Sequence, residues 1–398
     1  MNDTILIKEG ENLNEKFILC DTEQISSEID KAKSIILNRN INDIWSAILL
    51  EIKNSNLTIK STDRNIFFES TIPIVSTENF KVLINASNFS DAVKALNLYN
   101  ELKINFNEHE NKLCIIGETE NKDNIKTNDQ LNEPTFSVEE IENYNCEING
   151  ETYNFTVELS QREFKKIINK VSFSASTDES KNVLNGIYFT KDKNSTLMFV
   201  STNGHRMSMY KTELIFEEDI SFIVPVKMLN LLKQMVTGEG MVKIKTSDEK
   251  FYVEFNNYKI SCSLISGNYP DYESIIPTEQ KNKSSVEVSI LKDRLSRVSS
   301  YTDRRSKKVI LSFSAEQLRL MAEDPITGRK GEFFVMDPHY DYDGDEEVIA
   351  INSVYLTEAI SVFDTSKLEI KFSQGNVLRL SELGNTDFMH LIMPMILN

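Results

Sequence analysis

The sequence predicts an α+β protein made of three similar units, and three observations carry that prediction. A strand, helix, strand, strand, turn order recurs along the chain, the strands alternate apolar and polar residues, and the helices place apolar residues at helical spacing. Three copies in 398 residues give about 130 residues each, an ordinary domain size. The expected division is an N-terminal extension 1–16, a first unit 17–151, a second 152–280 and a third 281–398.

In the first unit a strand at Phe17 leads into a helix over Thr22–Leu37, with Ile25, Ile29, Ala32 and Ile36 on one face and Asp21 or Thr22 as cap. Strands Ile48–Ile52 and Leu57–Lys60 follow and end in the turn Ser61-Thr62-Asp63-Arg64; the apolar run Val82–Ala86 then enters a helix at Ser87–Leu98. The second unit repeats this as strand Phe155–Leu159, helix Ser160–Val171, strands Gly186–Phe189 and Leu197–Ser201, and Phe222–Val226 before helix Lys227–Val236. The third has Val286–Ser289, helix Ile290–Tyr301, strands Val309–Phe313 and Leu318–Ala322, and Val348–Ile351 before helix Asn352–Phe363. Strands Leu368–Phe372, Val377–Leu380 and His390–Met395 close the chain. Between Asn105 and Glu151 twelve acids face three lysines, a net −9, and the span 117–150 is expected to be an acidic surface loop.

Composition excludes several classes. Hydrophobic residues at 40% and aromatics at 9% can build cores, which rules out a wholly disordered chain. No apolar run approaches the roughly 18 residues of a membrane span, and the polar start lacks the basic end and apolar core of a signal peptide, so a cytoplasmic protein is expected. Cys20, Cys114, Cys146 and Cys262 lie far apart without a Cys-x-x-Cys pair, against a disulfide framework or a zinc ribbon. With 44 Lys and Arg against 61 Asp and Glu, the net charge of −17 argues against a uniformly basic nucleic-acid binder but leaves room for basic groups collected on one surface.

Catalytic and cofactor motifs are absent. His109, His205, His339 and His390 share no metal-ligand spacing, and the sequence holds neither a Gly-x-Ser-x-Gly elbow nor a phosphate-cradling Gly-x-x-x-x-Gly-Lys-Ser/Thr loop. Asp341, Asp343 and Asp345 resemble the start of a calcium loop, but Glu346 stands where such a loop needs glycine. No cofactor and no metal are expected.

Five motifs occur in order: Leu184-Asn185-Gly186; Ser201-Thr202-Asn203-Gly204-His205-Arg206-Met207; Ile223-Val224-Pro225; Gly267-Asn268-Tyr269-Pro270-Asp271-Tyr272; and Leu391-Ile392-Met393-Pro394-Met395. Together they resemble the bacterial DNA sliding clamps, the β subunits of DNA polymerase III, most closely over Phe155–Asn398 and by pattern over Phe17–Ile116. The resemblance implies the DNA-clamp fold: a head-to-tail homodimeric ring of six domains, helices lining the inside and sheets the outside, encircling duplex DNA without reading its sequence. It implies a non-enzymatic processivity factor that tethers the replicative polymerase. Implied partners are the DNA polymerase III catalytic subunit, a clamp loader, and other polymerases and repair proteins bearing clamp-binding peptides.

Two sets of residues follow from the resemblance. Lining cations would be Lys31, Lys33 and Arg39; Arg162, Lys165, Lys166, Lys170 and Lys181; and Lys292, Arg294, Arg297, Arg304 and Arg305. Basic excess on the corresponding helix of two units, in an acidic chain, favours DNA over an ordinary solvated face. A pocket for partner peptides would be walled by Leu184, Thr202, Gly204, His205, Arg206, Met207, Pro270 and Ile275 with the tail Leu391, Ile392, Met393, Pro394 and Met395; two thioethers beside branched residues make an adaptable apolar slot, and His205 and Arg206 would supply donors at its rim.

The chain departs from the family pattern in several places. Ile396 replaces a basic residue after the second methionine of the tail, Lys181-Asn182-Val183 replaces a tyrosine-rich step, and Ser274 replaces a rim arginine. Ser300 and Tyr301 stand where apolar contact residues of the dimer are common. Two other readings compete: a monomeric clamp-like adaptor that binds peptides, and an enzyme with a carboxylate site among its many acids.

Overall fold

The computed structural model describes residues 17–36, 43–107, 110–120, 126–148, 152–373 and 377–397; the extension 1–16 and Arg39 lie outside the described residues. The chain divides into two compact units. The first runs through Gln161 and takes in Thr237–Ser263; the second comprises Arg162–Val236 and the chain from Leu264 onward. Residues of the expected middle unit fall in both.

In the first unit an eight-stranded antiparallel sheet orders its strands Phe155–Ser160, Met241–Thr246, Lys250–Phe255, Tyr258–Ser263, Ile66–Pro73, Asn56–Thr62, Ala47–Lys53 and Phe80–Asn85. The junction between sequence-distant halves is the pair Tyr258–Ser263 with Ile66–Pro73, in register from Tyr258↔Ser70 to Cys262↔Ile66. A five-stranded sheet carries Val75–Ser76, Phe17–Asp21, Glu101–Asn107, Lys112–Glu120 and Lys126–Pro134. Helices α1 (Thr22–Ile35) and α2 (Ala86–Ala95) pack on each other, and α1 also covers the strands Asn56–Thr62 and Ile66–Pro73. Asp21 caps α1 by accepting from Gln24 N, and Asn85 caps α2 by accepting from Ser87 N and Asn88 N. Ile25, Ile29 and Ala32 are fully buried on α1, and each isoleucine contributes about 1.5–3 kcal/mol of apolar burial.

The acidic segment differs from expectation. Over its described residues it is a hairpin, Lys112–Glu120 paired with Lys126–Pro134 from Lys112↔Pro134 to Glu120↔Lys126, followed by α3 (Val138–Asn143) behind a reciprocal Ser137–Glu140 capping box. Backbone pairing needs no apolar side chains on both faces, so a polar, charged segment at a sheet edge can still join the ladder.

In the second unit a nine-stranded sheet runs Ser221–Pro225, Gly186–Lys191, Thr196–Thr202, Arg206–Ile215, Asn385–Ile392, Leu378–Glu382, Lys367–Phe372, Asn282–Glu287 and Tyr340–Asp343; a four-stranded sheet runs Arg329–Met336, Gln317–Asp324, Lys308–Phe313 and Glu347–Asn352. Helices α4 (Gln161–Val171), α5 (Val226–Met235), α6 (Val288–Ser299) and α7 (Ser353–Ser361) complete it. Its own internal junction pairs Arg206–Ile215 with Asn385–Ile392, from Arg206↔Ile392 to Tyr210↔Phe388. The return strands Ile66–Pro73, Arg206–Ile215 and Arg329–Met336 went unforeseen because interspersed charged and polar residues hide their alternation.

The threefold repetition is visible in register. α1, α4 and α6 bury their fourth, eighth and eleventh residues: Ile25, Ile29, Ala32; Phe164, Ile168, Val171; Leu291, Leu295, Val298. Across the strands entering these helices the ladders run Leu19–Lys103–Ile116–Gln130, Glu158–Lys243–Glu254–Lys259 and Ser285–Glu369–Ser381–Met389. A second set runs Val82–Leu50–Ile59–Ser70, Phe222–Phe189–Phe199–Tyr210 and Ile349–Leu311–Leu320–Phe333. Gly186 opens its strand where a Cβ would stand 2.4 Å from Ile223 Cγ2 and 2.8 Å from Val224 O, which explains the glycine of Leu184-Asn185-Gly186. Among the described residues no helix is long and apolar enough to cross a membrane.

Candidate functional site

The motif Ser201–Met207 is a hairpin turn. Asn203 Oδ1 accepts from His205 N at 2.9 Å and Arg206 N at 3.1 Å, while Thr202 Oγ1 donates to Arg206 O at 2.6 Å and accepts from Gly204 N at 3.0 Å. Gly204 sits at φ +89°, where a side chain would be strained. His205 is exposed at the tip, and its carbonyl accepts from Met393 N at 2.9 Å. The turn therefore meets the terminal tail directly, with Met207 opposite Leu391 and Arg206 opposite Ile392.

Beneath the turn lies an apolar cluster of Met198, Val200, Met207, Tyr272, Val377, Met389 and Leu391. Tyr188 and Tyr269 stack at 4.7 Å along its flank. Leu391 and Ile392, expected as pocket wall, are both buried in the last strand, Leu391 in this cluster and Ile392 on the opposite face of the sheet, across from Arg206. The tail leaves the sheet at Met393, which is exposed, as are Ile396 and Leu397, while Pro394 and Met395 are half-buried and Met395 N donates to Ala350 O at 2.7 Å. Pro270 and Ile275 are exposed on either side of Tyr272. Leu184 is half-buried in the turn Asn182–Asn185 that leads to Tyr188.

Arg206 is not a rim donor. It is buried, its guanidinium donates to the Glu358 carboxylate and the Phe173 carbonyl, and it lies over the rings of Phe173 and Tyr355 at 5.3 and 4.6 Å. Planar, multidonor guanidinium suits this clamp on a carboxylate between two rings. Phe173, Tyr355 and Glu358 were missed by sequence reasoning, since nothing short of the fold brings α7 to the hairpin. Below, His390 is fully buried against Phe173, with Nδ1 2.8 Å from Ser208 Oγ, which meets Ser174 Oγ at 2.7 Å. Burial, reinforced by the Arg206 charge, pushes the imidazole down to about 3.

The expected lining cations separate into two groups. Arg162, Lys166, Lys181, Lys292, Arg297, Arg304 and Arg305 are exposed. Lys166 lies over the Tyr210 ring at 5.3 Å, and Arg297 pairs with Asp293 at 3.0 Å. Lys33 is half-buried. Others are engaged within the protein: Lys165 Nζ donates to Val236 O at 3.1 Å, Arg294 Nε to Phe334 O at 3.2 Å, and Lys31 Nζ to Glu28 at 2.8 Å and the Tyr258 hydroxyl at 2.5 Å. Lys170 corrects the expectation outright. Its side chain is 2% exposed, donates to Val362 O, and pairs with Glu382 at 3.1 Å and Asp364 at 3.2 Å. A cation held this way cannot reach a phosphate, and the helical spacing could not reveal it because a strand and a loop from the chain's far end supply the partners.

Replacing Lys170 with Met should destabilise the protein by roughly 3 kcal/mol in urea unfolding, since Glu382 loses its buried partner, whereas Lys166→Met should stay within about 0.5 kcal/mol. His390 is neutral in the fold, while in the unfolded chain it takes up a proton below its ordinary value near ~6.5. Acid therefore favours unfolding from about pH 6.5 down toward pH 3, by up to about 1.4 kcal/mol per pH unit from this group. His390→Gln should flatten the stability profile between about pH 6 and 5, and equal slopes in parent and variant would refute the assignment.

Family models match the whole architecture in order: the DNA polymerase III beta subunit N-terminal domain over residues 16–145, the central domain over 158–271 and the C-terminal domain over 273–396. The beta sliding clamp of Borreliella burgdorferi is 65% identical over 383 residues, covering 96% of this chain and 99% of that protein. That of Treponema pallidum is 28% identical, covering 95% and 99%. A solved structure of DNA polymerase III subunit beta from Borrelia burgdorferi, in complex with a natural product, is 64% identical with TM-score 0.93, covering 98% of this chain and all of that one. The chain belongs to the DNA polymerase III beta subunit family, the bacterial beta sliding clamps, which are non-catalytic processivity factors of DNA replication.

Proposed function

We propose that this chain works in the cytoplasm as a closed head-to-tail homodimer around duplex DNA, holding the DNA polymerase III catalytic subunit, the clamp loader and other peptide-bearing polymerases and repair proteins on its surface. One observation carries the ring: the strands Lys126–Pro134 and Arg329–Met336 are outer strands of the five- and four-stranded sheets. By register they are the counterparts of Tyr258–Ser263 and Ile66–Pro73, and of Asn385–Ile392 and Arg206–Ile215, which are paired inside the chain. Two such edges on one chain are heterologous surfaces, and a second copy satisfies both at once by a closing rotation.

DNA would be held by topology, with Arg162, Lys166, Lys181, Lys292, Arg304 and Arg305 screening phosphates through weak, exchangeable contacts that permit sliding. Processivity then follows from effective concentration, because a partner bound to a topologically trapped ring rebinds before it diffuses away. Partner peptides would dock against the exposed Met393, the half-buried Pro394 and Met395, and the hairpin tip at Gly204 and His205, above the cluster of Met207, Tyr272 and Leu391. The natural product bound to the 64% identical Borrelia burgdorferi protein supports a ligand-binding surface on this chain as well.

After incubation with a clamp loader and ATP, the protein should stay on nicked circular plasmid through gel filtration and be lost once the plasmid is cut; equal retention on both forms would remove the topological reading. Truncation after Ile392 should abolish binding of a labelled clamp-binding peptide from a polymerase subunit while retention on the circle persists. Undiminished peptide affinity would exclude the tail from the pocket.

A further inference from the structure

The internal junctions supply a template for the open edges. The tenth residue of α1, α4 and α6 is Lys31, Lys170 and Arg297, in each case just before a buried residue. Lys31 Nζ lies 5.0 Å from the Tyr258 ring and Lys170 Nζ 5.0 Å from the Phe388 ring. Tyr258 and Phe388 occupy one register position, each preceding the last member of its ladder and each facing the end of the second ladder, Ser70 or Tyr210. Each internal junction is thus closed by a helix cation set against the incoming strand at the same place.

In the first unit that register position is Asp129, not an aromatic residue. It is exposed and accepts from the Tyr99 hydroxyl at 2.5 Å. In the third copy of the helix, Arg297 is 58% exposed and meets Asp293 of its own helix, where its counterpart Lys170 is 2% exposed. We propose that Arg297 of one copy closes on Asp129 of a second copy, a third instance of the same clasp with a guanidinium–carboxylate pair in place of a cation over a ring.

The second ladder gives the same alignment independently. Its third copy ends at Phe333, so Phe333 falls opposite Asp129 of the second copy, and antiparallel counting then sets Arg329 opposite Glu133. Arg329 lies over the Tyr301 ring at 5.0 Å, and that ring fills the space over Gly331, where a Cβ would be 2.6 Å from it. Tyr301 therefore aims a cation along the edge strand. The basic edge belongs to the third part of the chain and the acidic edge to the first, a polarity that favours head-to-tail over head-to-head pairing. This reassigns Arg297 from DNA to the subunit junction, and it rests on the ring reading above.

Sedimentation of the full chain over a concentration series tests both. The parent should dimerise, and Arg297→Glu or Asp129→Arg should each raise the dimer dissociation constant roughly 30-fold or more. The double variant Arg297→Glu with Asp129→Arg should recover most of that loss, and unchanged thermal unfolding of the monomer should show that both single variants fold. A dimeric parent whose single variants keep its dissociation constant within about twofold overturns the clasp and leaves the ring. So does a dimeric Arg297→Glu that fails only in retention on nicked circles, which returns Arg297 to the DNA. A parent monomeric throughout overturns the ring reading and the clasp with it.

Discussion

The structure depends on antiparallel pairing between strands distant in sequence. Tyr258–Ser263 lies beside Ile66–Pro73, and Asn385–Ile392 beside Arg206–Ile215, so each compact unit contains one continuous sheet assembled from two repeats. An outer strand left open would present a row of unpaired amides and carbonyls, and joining repeats edge to edge removes that exposure while extending the covered apolar face. The helices follow from this arrangement. Each of α1, α4 and α6 enters from a strand of the same repeat and buries its fourth, eighth and eleventh residues, so the polar positions between them recur as well.

That recurrence explains the distribution of charge. A chain at net −17 that binds DNA must place its cations where the surrounding acids do not cancel them. The proposed reading gives that task to the exposed Arg162, Lys166 and Lys292 on α4 and α6, while Lys31 and Lys170 sit at the internal junctions. The burial of Lys170 is stabilising only as a member of a set: Glu382, Asp364 and the Val362 carbonyl together replace the water it gives up. The same helix thus divides its basic residues between solvent and structure according to what docks beside each.

The proposed peptide surface is built on the same junction. Because the last strand pairs with the return strand of the hairpin, Met393 N reaches His205 O and the tail emerges beside Gly204. The Arg206 guanidinium fixes the hairpin to α7 through Glu358 and Tyr355, and the neutral His390 sits under it where a second positive charge would be unfavourable. Met207, Tyr272 and Leu391 share one buried cluster, and the proposed peptide surface adds the adaptable thioether of Met393, exposed where the chain leaves the last strand.

The sequence by itself determined the class of the fold, its threefold repetition and the family, because strand alternation, helical spacing and the order of five turn and tail motifs are local properties of the chain. It also placed Thr202, Gly204, His205 and Met207 together, since a tight hairpin is written in consecutive residues. Only the tertiary structure decided which cations face solvent, that Arg206 is a buried anchor, and that Leu391 and Ile392 are both buried. Those outcomes depend on partners such as Glu382, Glu358, Tyr355 and Tyr258, which lie far along the chain and are brought in by edge-to-edge strand pairing. Local periodicity fixes which face of an element is apolar; what a polar residue on the other face will meet is set by the strand that docks beside it.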